Sequence, residues 1–176
     1  MTSSEAAPLA RRAAAVGLDY LFVAGYVAVA VLAGVAILAL APDFSNELFG
    51  QPLSAEATGF LALTLPVTLY FVLSETSVTG ATWGKRWMRL RVVGPGGQRL
   101  SLARSLVRSS WKFAPWELAH AGIWQIRFAQ GNAGMLPIGL LSASWILVIA
   151  DVACVVVRRD RRALHDLVSG CTVVTV

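Results

Sequence analysis

Charge is scarce in this chain: only 14% of its 176 residues are Asp, Glu, Lys or Arg, where soluble globular domains carry about 25%. That shortage argues against a soluble globular fold. Cysteine is scarcer still. Cys154 falls in an apolar run and Cys171 near the C-terminus, with no second pair at metal spacing, so neither a disulfide framework nor a zinc site is indicated. Of the two histidines, His165 adjoins Asp166, but no third ligand stands at helical spacing and no Ser or Cys of a nucleophile motif accompanies it, so no metal, cofactor or enzymatic activity is expected. The glycines in Gly94-Pro95-Gly96-Gly97 are not followed by the Gly-Lys-Ser/Thr of a phosphate loop, and that function class drops out too.

What the chain has in abundance is apolar sequence, 56% of residues, with a mean hydropathy of +0.64. About 20 helical residues cross a bilayer core of roughly 30 Å. Three runs reach that length, at about 13–41, 57–74 and 135–157. Arg11 and Arg12 before the first run resemble the start of a secretory signal, yet the run extends to Ala41, about twice the usual signal core, and reads as a retained anchor. Pro66 predicts a kink in the second run, tolerable where Thr64, Thr68 or a neighbouring helix satisfies the freed carbonyl.

The formal charge of +5 invites a nucleic-acid reading, but the cations flank apolar segments, as cytoplasmic flanks facing anionic lipid do. Five of six tryptophans lie at Trp83, Trp87, Trp111, Trp116 and Trp124, and read as an interfacial aromatic belt rather than a base-stacking set. No nucleic-acid partner is expected. The 42–56 connection carries Asp43, Glu47 and Glu56 without Lys or Arg, while 79–112 is strongly basic, so the positive-inside rule puts the N-terminus and the latter segment in the cytoplasm of a cell (inner) membrane protein. Three crossings would leave the tail, with Arg158, Arg159, Arg161 and Arg162, outside. A fourth crossing at about 115–130 restores both termini to the cytoplasm; a re-entrant segment there is the alternative.

The fold class expected is therefore an all-α membrane protein: one domain over 1–176, a bundle of about four transmembrane helices, an amphipathic interfacial helix and a short cytoplasmic β-hairpin at about 88–102. The hairpin rests on alternation in Arg89 to Val92, the glycine turn and Gln98 to Leu102. The interfacial helix starts at Ser101, a plausible N-cap, and Arg104, Arg108 and Lys112 at spacing four form a basic stripe expected to face anionic lipid headgroups, with Pro115 bending the chain after it.

Two acids inside apolar runs draw attention. Asp19 lies seven residues after Arg12 and Asp151 seven before Arg158, so both sit about 10 Å from the basic ends. An acid at membrane depth needs protein, water or a cation beside it. Asp19 and Asp151 either share one polar site with Arg12, suited to proton or cation exchange, or pair separately with Arg12, Lys112 or the hydroxyls of Ser142 and Ser144 and merely close the bundle. Asp166 is placed to accept backbone amides or a guanidinium fork from Arg12.

Several motifs now combine: Arg-x6-Asp from Arg12 to Asp19, Thr82-x-Gly84-Lys85-Arg86, Leu90-Arg91-Val92-Val93, Gly97-x-Arg99-Leu100-Ser101-Leu102, Arg108, and RRALHD with Gly170 and Thr172. Together they resemble the RDD family of small membrane proteins, over nearly the whole chain. The family is named for one arginine and two aspartates, which the resemblance carries to Arg12, Asp19 and Asp166. Trp83 stands where proline is common, and Ser169 and Cys171 alter the usual Ala-Gly-Thr ending. The resemblance implies a membrane protein with cation/proton exchange proposed for some relatives; the competing reading is a non-catalytic scaffold or accessory subunit. Four spans make a thin transporter, so a homo-oligomer or a partner membrane protein is expected, and small residues at Ala24, Ala28, Ala30 and Gly34 on the first span suit helix packing.

Overall fold

The computed structural model describes residues 7–129 and 134–176. Helix α1 runs Leu9–Leu40. It stops one residue short of Pro42, whose ring disfavours helical backbone in the residue before it. Pro42 in turn opens α2 (Pro42–Phe49), and Pro52 opens α3 (Pro52–Gly59). The connection expected as an outer loop is thus largely helical. A π-helical turn, Phe60–Thr64, joins α3 to α4 (Leu65–Thr76). Together these make a helical rod, Pro52–Thr76, that begins five residues before the expected second span. Three helices are long and apolar enough to cross a membrane: α1, this rod, and α7 (Leu136–Val157).

The kink expected at Pro66 takes the form of that π turn just before it, a recognised way to break the regular ladder. Pro66 has no N–H to give the Ala62 carbonyl four residues back. The Tyr26 hydroxyl of α1 donates to that carbonyl at 2.5 Å, so a neighbouring helix makes good the missing bond.

The next segment corrects the expected hairpin. After the short helix α5 (Trp83–Trp87), strand β1 (Leu90–Val93) does not pair with 98–102 beyond a single bridge between Val93 and Arg99. Its partner is β2 (Thr172–Thr175), antiparallel, with Leu90 opposite Thr175 and Val93 opposite Thr172. The reason is apolar burial. Val173 and Val174 cover β1, whereas 98–101 offers one buried apolar side chain, Leu100. The Ala7 amide donates to the Val173 carbonyl at 3.2 Å. N-terminus, post-span segment and tail therefore meet at one end of the bundle, around Leu90, Val92, Leu100, Cys171 and Val173.

Helix α6 also departs from expectation. It is one helix, Leu102–Phe128, running through Pro115 without dividing into an interfacial part and a crossing. Ser101 caps it by accepting the Arg104 amide. At 1.5 Å per residue α6 is about 40 Å long. Its first turn lies at the tail end, where the Arg104 guanidinium donates to the Ser169 carbonyl at 2.8 Å. Its last turns lie by α2, with Trp124 and Phe49 stacked at 6.3 Å. Position 130, where the expected crossing ends, is outside the described residues. Along its length α6 packs closely on α7: a Cβ on Gly122 would come 3.1 Å from Leu141 Cγ, and the Ser144 hydroxyl donates to the Pro115 carbonyl at 2.7 Å. Helix α8 (Leu164–Ser169) ends at Gly170, whose φ of +69° suits only glycine without strain.

Candidate functional site

At the tail end of the bundle a set of charged side chains is folded inward. Arg108, two turns into α6, is 2% exposed, so its guanidinium has left water and needs carboxylates in return. It has two. Its Nη1 lies 2.6 Å from Glu75 Oε1 and 2.7 Å from Oε2 at the end of α4. Its Nε and Nη2 lie 2.9 and 2.8 Å from Asp166 Oδ1 on α8. Both acids are fully buried. Lys85 of α5 supplies Glu75 with a second cation at 2.9 Å, and Arg12 of α1 supplies Asp166 with one at 2.7 Å. Arg12 also donates to the Arg161 carbonyl, and Asp166 Oδ2 accepts the Ala163 amide at 3.1 Å, capping α8. Four segments far apart in sequence are thus tied through one arginine.

From Lys85 the network continues to Thr82, at 3.4 Å, whose hydroxyl donates to Asp19 Oδ2 at 2.6 Å. Asp19 Oδ1 accepts the Gly84 amide at 2.8 Å and faces the Tyr70 hydroxyl at 3.3 Å. A carboxylate receiving the amide at the start of a helix is the geometry of an N-terminal cap, here supplied by another helix. Gly84 permits it: a Cβ there would lie 2.3 Å from the Ala15 carbonyl oxygen and 2.9 Å from Asp19 Oδ1.

On the other side His165 joins Asp151 to the centre. Asp151 Oδ1 accepts from the His165 backbone amide at 3.2 Å and lies 2.8 Å from Nδ1. Nε2 faces the Arg108 guanidinium at 3.2 Å. A guanidinium can only donate, so Nε2 is the acceptor and Nδ1 carries the proton given to Asp151. Burial, reinforced by the Arg108 charge, pushes the imidazole below its ordinary pKa and favours this neutral form. Burial alone would raise Asp166, but the charges of Arg108 and Arg12 overcome it and hold that carboxyl well below the usual carboxylate range.

Beside the network, a cavity of about 780 Å³ lies between α1, the Pro52–Thr76 rod, α6 and α7. Its walls are apolar, with Val23, Val67 and Val148 among them, and Arg12, Lys112, Asp151 and His165 border it. The Asp151 side chain keeps a third of its exposure, against none for Asp166.

Of the residues singled out in the sequence, Arg12 and Asp166 form an ion pair. Asp19 and Asp151 take different partners and do not touch; they stand at opposite ends of the network. The basic stripe needs correcting. Arg104, Arg108 and Lys112 do share a face, but its middle is turned inward: Arg108 is buried on two acids, while Arg104 stays exposed with its guanidinium on the Ser169 carbonyl and the half-buried Lys112 places its ammonium 3.5 Å from the Phe71 ring centroid. Spacing sets which residues share a face, whereas the carboxylates that fix its direction come from α4 and α8. Glu75, Thr82, Tyr70 and His165 were not among the site residues expected, nor was Lys85, read only as a flanking charge. One sign was available: Glu75 is a lone acid at the membrane exit on the side crowded with cations.

Among the described residues no cluster of three or more His, Cys, Asp or Glu is arranged to hold a metal ion. In comparison with known proteins, the model of a family described as the RDD family matches residues 6–170, nearly the whole chain. No curated protein and no solved structure matches it.

Proposed function

Taking as its premise that the chain belongs to the RDD family of membrane proteins, we propose that it is a four-span protein of the cell membrane that exchanges protons or cations through the polar site where Arg12, Asp151 and His165 border the cavity. The observation that carries this reading is Asp151. It is a partly exposed acid on a membrane-spanning helix, in contact with an imidazole and bordering a cavity. Carboxylates at membrane depth are costly unless solvated or paired and commonly mark proton or ion paths. The His165–Asp151 pair is built to exchange a proton with the cavity, while Arg108 and Asp166 behind it stay charged and hold the geometry.

Topology is part of the proposal. Helix α6 starts at the end where N-terminus and tail meet and finishes beside α2, so if α1 and α7 cross, α6 crosses with them. A continuous helix of that length speaks against re-entry. Its low hydropathy owes much to Arg108, which is paired with Glu75 and Asp166 inside protein. Four crossings bring both termini to the basic, cytoplasmic side, and so thin a carrier favours a homo-oligomer.

The test is flux in liposomes of purified protein, with a pH-sensitive dye inside and an imposed cation gradient. Asp151→Asn is expected to abolish flux while leaving assembly intact; Asp19→Asn is expected instead to lower thermal stability, because Asp19 holds α5. Absence of flux from the parent protein would sink the exchange reading. It would leave the scaffold reading, which the saturation of Glu75, Asp166 and Asp19 by fixed partners favours.

A further inference from the structure

Lys112 is the odd cation of the site. Arg12, Lys85 and Arg108 each touch a buried carboxylate. Among the described residues none lies within ion-pair reach of the Lys112 ammonium, which has only the faces of Phe71 and Phe113, at 3.5 and 5.5 Å from their centroids. Aromatic faces attract a cation, but an ammonium held at membrane depth on ring faces alone still lacks the anion that would offset its lost hydration. Lys112 also lines the 780 Å³ cavity.

The rest of that cavity is the wrong shape for a small inorganic anion. Val16, Val23 and Val27 of α1 and Leu147, Val148 and Val152 of α7 make two apolar walls. Helix α1 packs on α5, α2 and the π turn rather than along α7, so these walls flank a gap that faces the hydrocarbon of the bilayer. Its volume falls within the range of about 300–1,000 Å³ usual for small-molecule pockets, enough for a lipid chain and part of its head. Trp111 and Trp116 line it near Lys112, as aromatic rings do at headgroup level. The other charges bordering the cavity are already engaged, Arg12 by Asp166 and Asp151 by His165.

We infer that this cavity is a binding site for one anionic membrane phospholipid, its phosphate on the Lys112 ammonium and an acyl chain between α1 and α7. Lysine suits a phosphate as a point charge without the fixed fork of arginine. The inference shares this cavity with the exchange reading but does not rest on it, since it needs no gradient and no titrating group.

The test titrates phosphatidylglycerol or phosphatidylcholine into the purified full chain in neutral detergent, with bound lipid counted by native mass spectrometry. Phosphatidylglycerol is expected to bind in preference, and Lys112→Gln to weaken it about fivefold, equivalent to roughly 1 kcal/mol for one cation at a tenfold change per 1.4 kcal/mol. Lys112→Arg should keep most of the binding. Val148→Trp, which leaves every charge in place and fills the cavity, should lose it. Ile146→Gln, on an exposed face of α7 outside the cavity, should change nothing. Equal binding of the two lipids, equal binding by Lys112→Gln, or an equal loss in Ile146→Gln would overturn the site in favour of non-specific annular lipid. Full displacement by inorganic phosphate would overturn it in favour of a free-anion site.

Discussion

Arg108→Met should be among the most damaging single changes in this protein. The side chain is 2% exposed and its two acids not at all, so methionine conserves the stem while removing the charge that both carboxylates face. Breaking a buried pair by removing one partner costs about 3–5 kcal/mol, because the remaining charge stays buried. Glu75 keeps Lys85 and Asp166 keeps Arg12, which places the expected loss near the lower figure. At about 2–4 °C per kcal/mol for a chain of this size, the melting temperature should fall by roughly 6–12 °C, read by fluorescence-detected unfolding in detergent. The double variant with Glu75→Met separates mechanism from mere damage. Removing both members of the pair relieves the stranded charge, so the combined loss should be smaller than the sum of the singles by about 0.5–3 kcal/mol, the range for contacting residues. Additive losses, or a shift of under 2 °C in Arg108→Met, would refute the view that Arg108 holds the network by charge.

Gly84→Val should lower stability by about 1–3 kcal/mol, the usual cost of forcing extra atoms into a packed contact, since even a Cβ there overlaps the Ala15 carbonyl; thermal unfolding against a Gly139→Ala control, where a Cβ meets nothing within 4 Å, measures it. Acid should destabilise the fold in two stages. His165 titrates lower in the folded chain than its unfolded value of 6.5, so the unfolded chain takes up the proton first, and stability present above about pH 6.5 is lost as pH falls below it. Asp166, also lowered, adds a second loss below its unfolded value of 3.8; melting temperature against pH should show the upper stage flattened in His165→Gln. For topology, cysteines placed singly at Asp43 and Val176 in a background without Cys154 and Cys171 should be labelled from outside intact cells at the first position and protected at the second. Labelling at 176 from outside removes the fourth crossing.

Local features proved readable from sequence because their causes are local. Ser101 caps α6, and Arg12 meets Asp166 as its position suggested. Failures came wherever the deciding partner was distant. Alternation marked β1, but its mate lies some 80 residues on, in four residues too short to announce themselves. Asp19 and Asp151 were placed at equal depth by their spacing from the basic ends, but depth says nothing of azimuth: one turns to the Gly84 amide of α5 and the other to His165. Hydropathy misjudges α6 for the same reason, since it counts Arg108 as a bare charge when Glu75 and Asp166 enclose it.

The dependence of the network on residues 158–176 sets an order of events in biosynthesis. Spans enter the membrane as they leave the ribosome, and by the time α6 is in place Arg108 can find Glu75 and Lys85, all encoded upstream. Asp166 and β2 come later. Until they emerge, Arg12 and Arg108 lack their shared acid and β1 presents a bare edge at the membrane face, a ready target for chaperones or for quality-control proteolysis. The tail then acts as a latch that closes last, and a nascent chain stalled before position 166 is one the cell can recognise as unfinished.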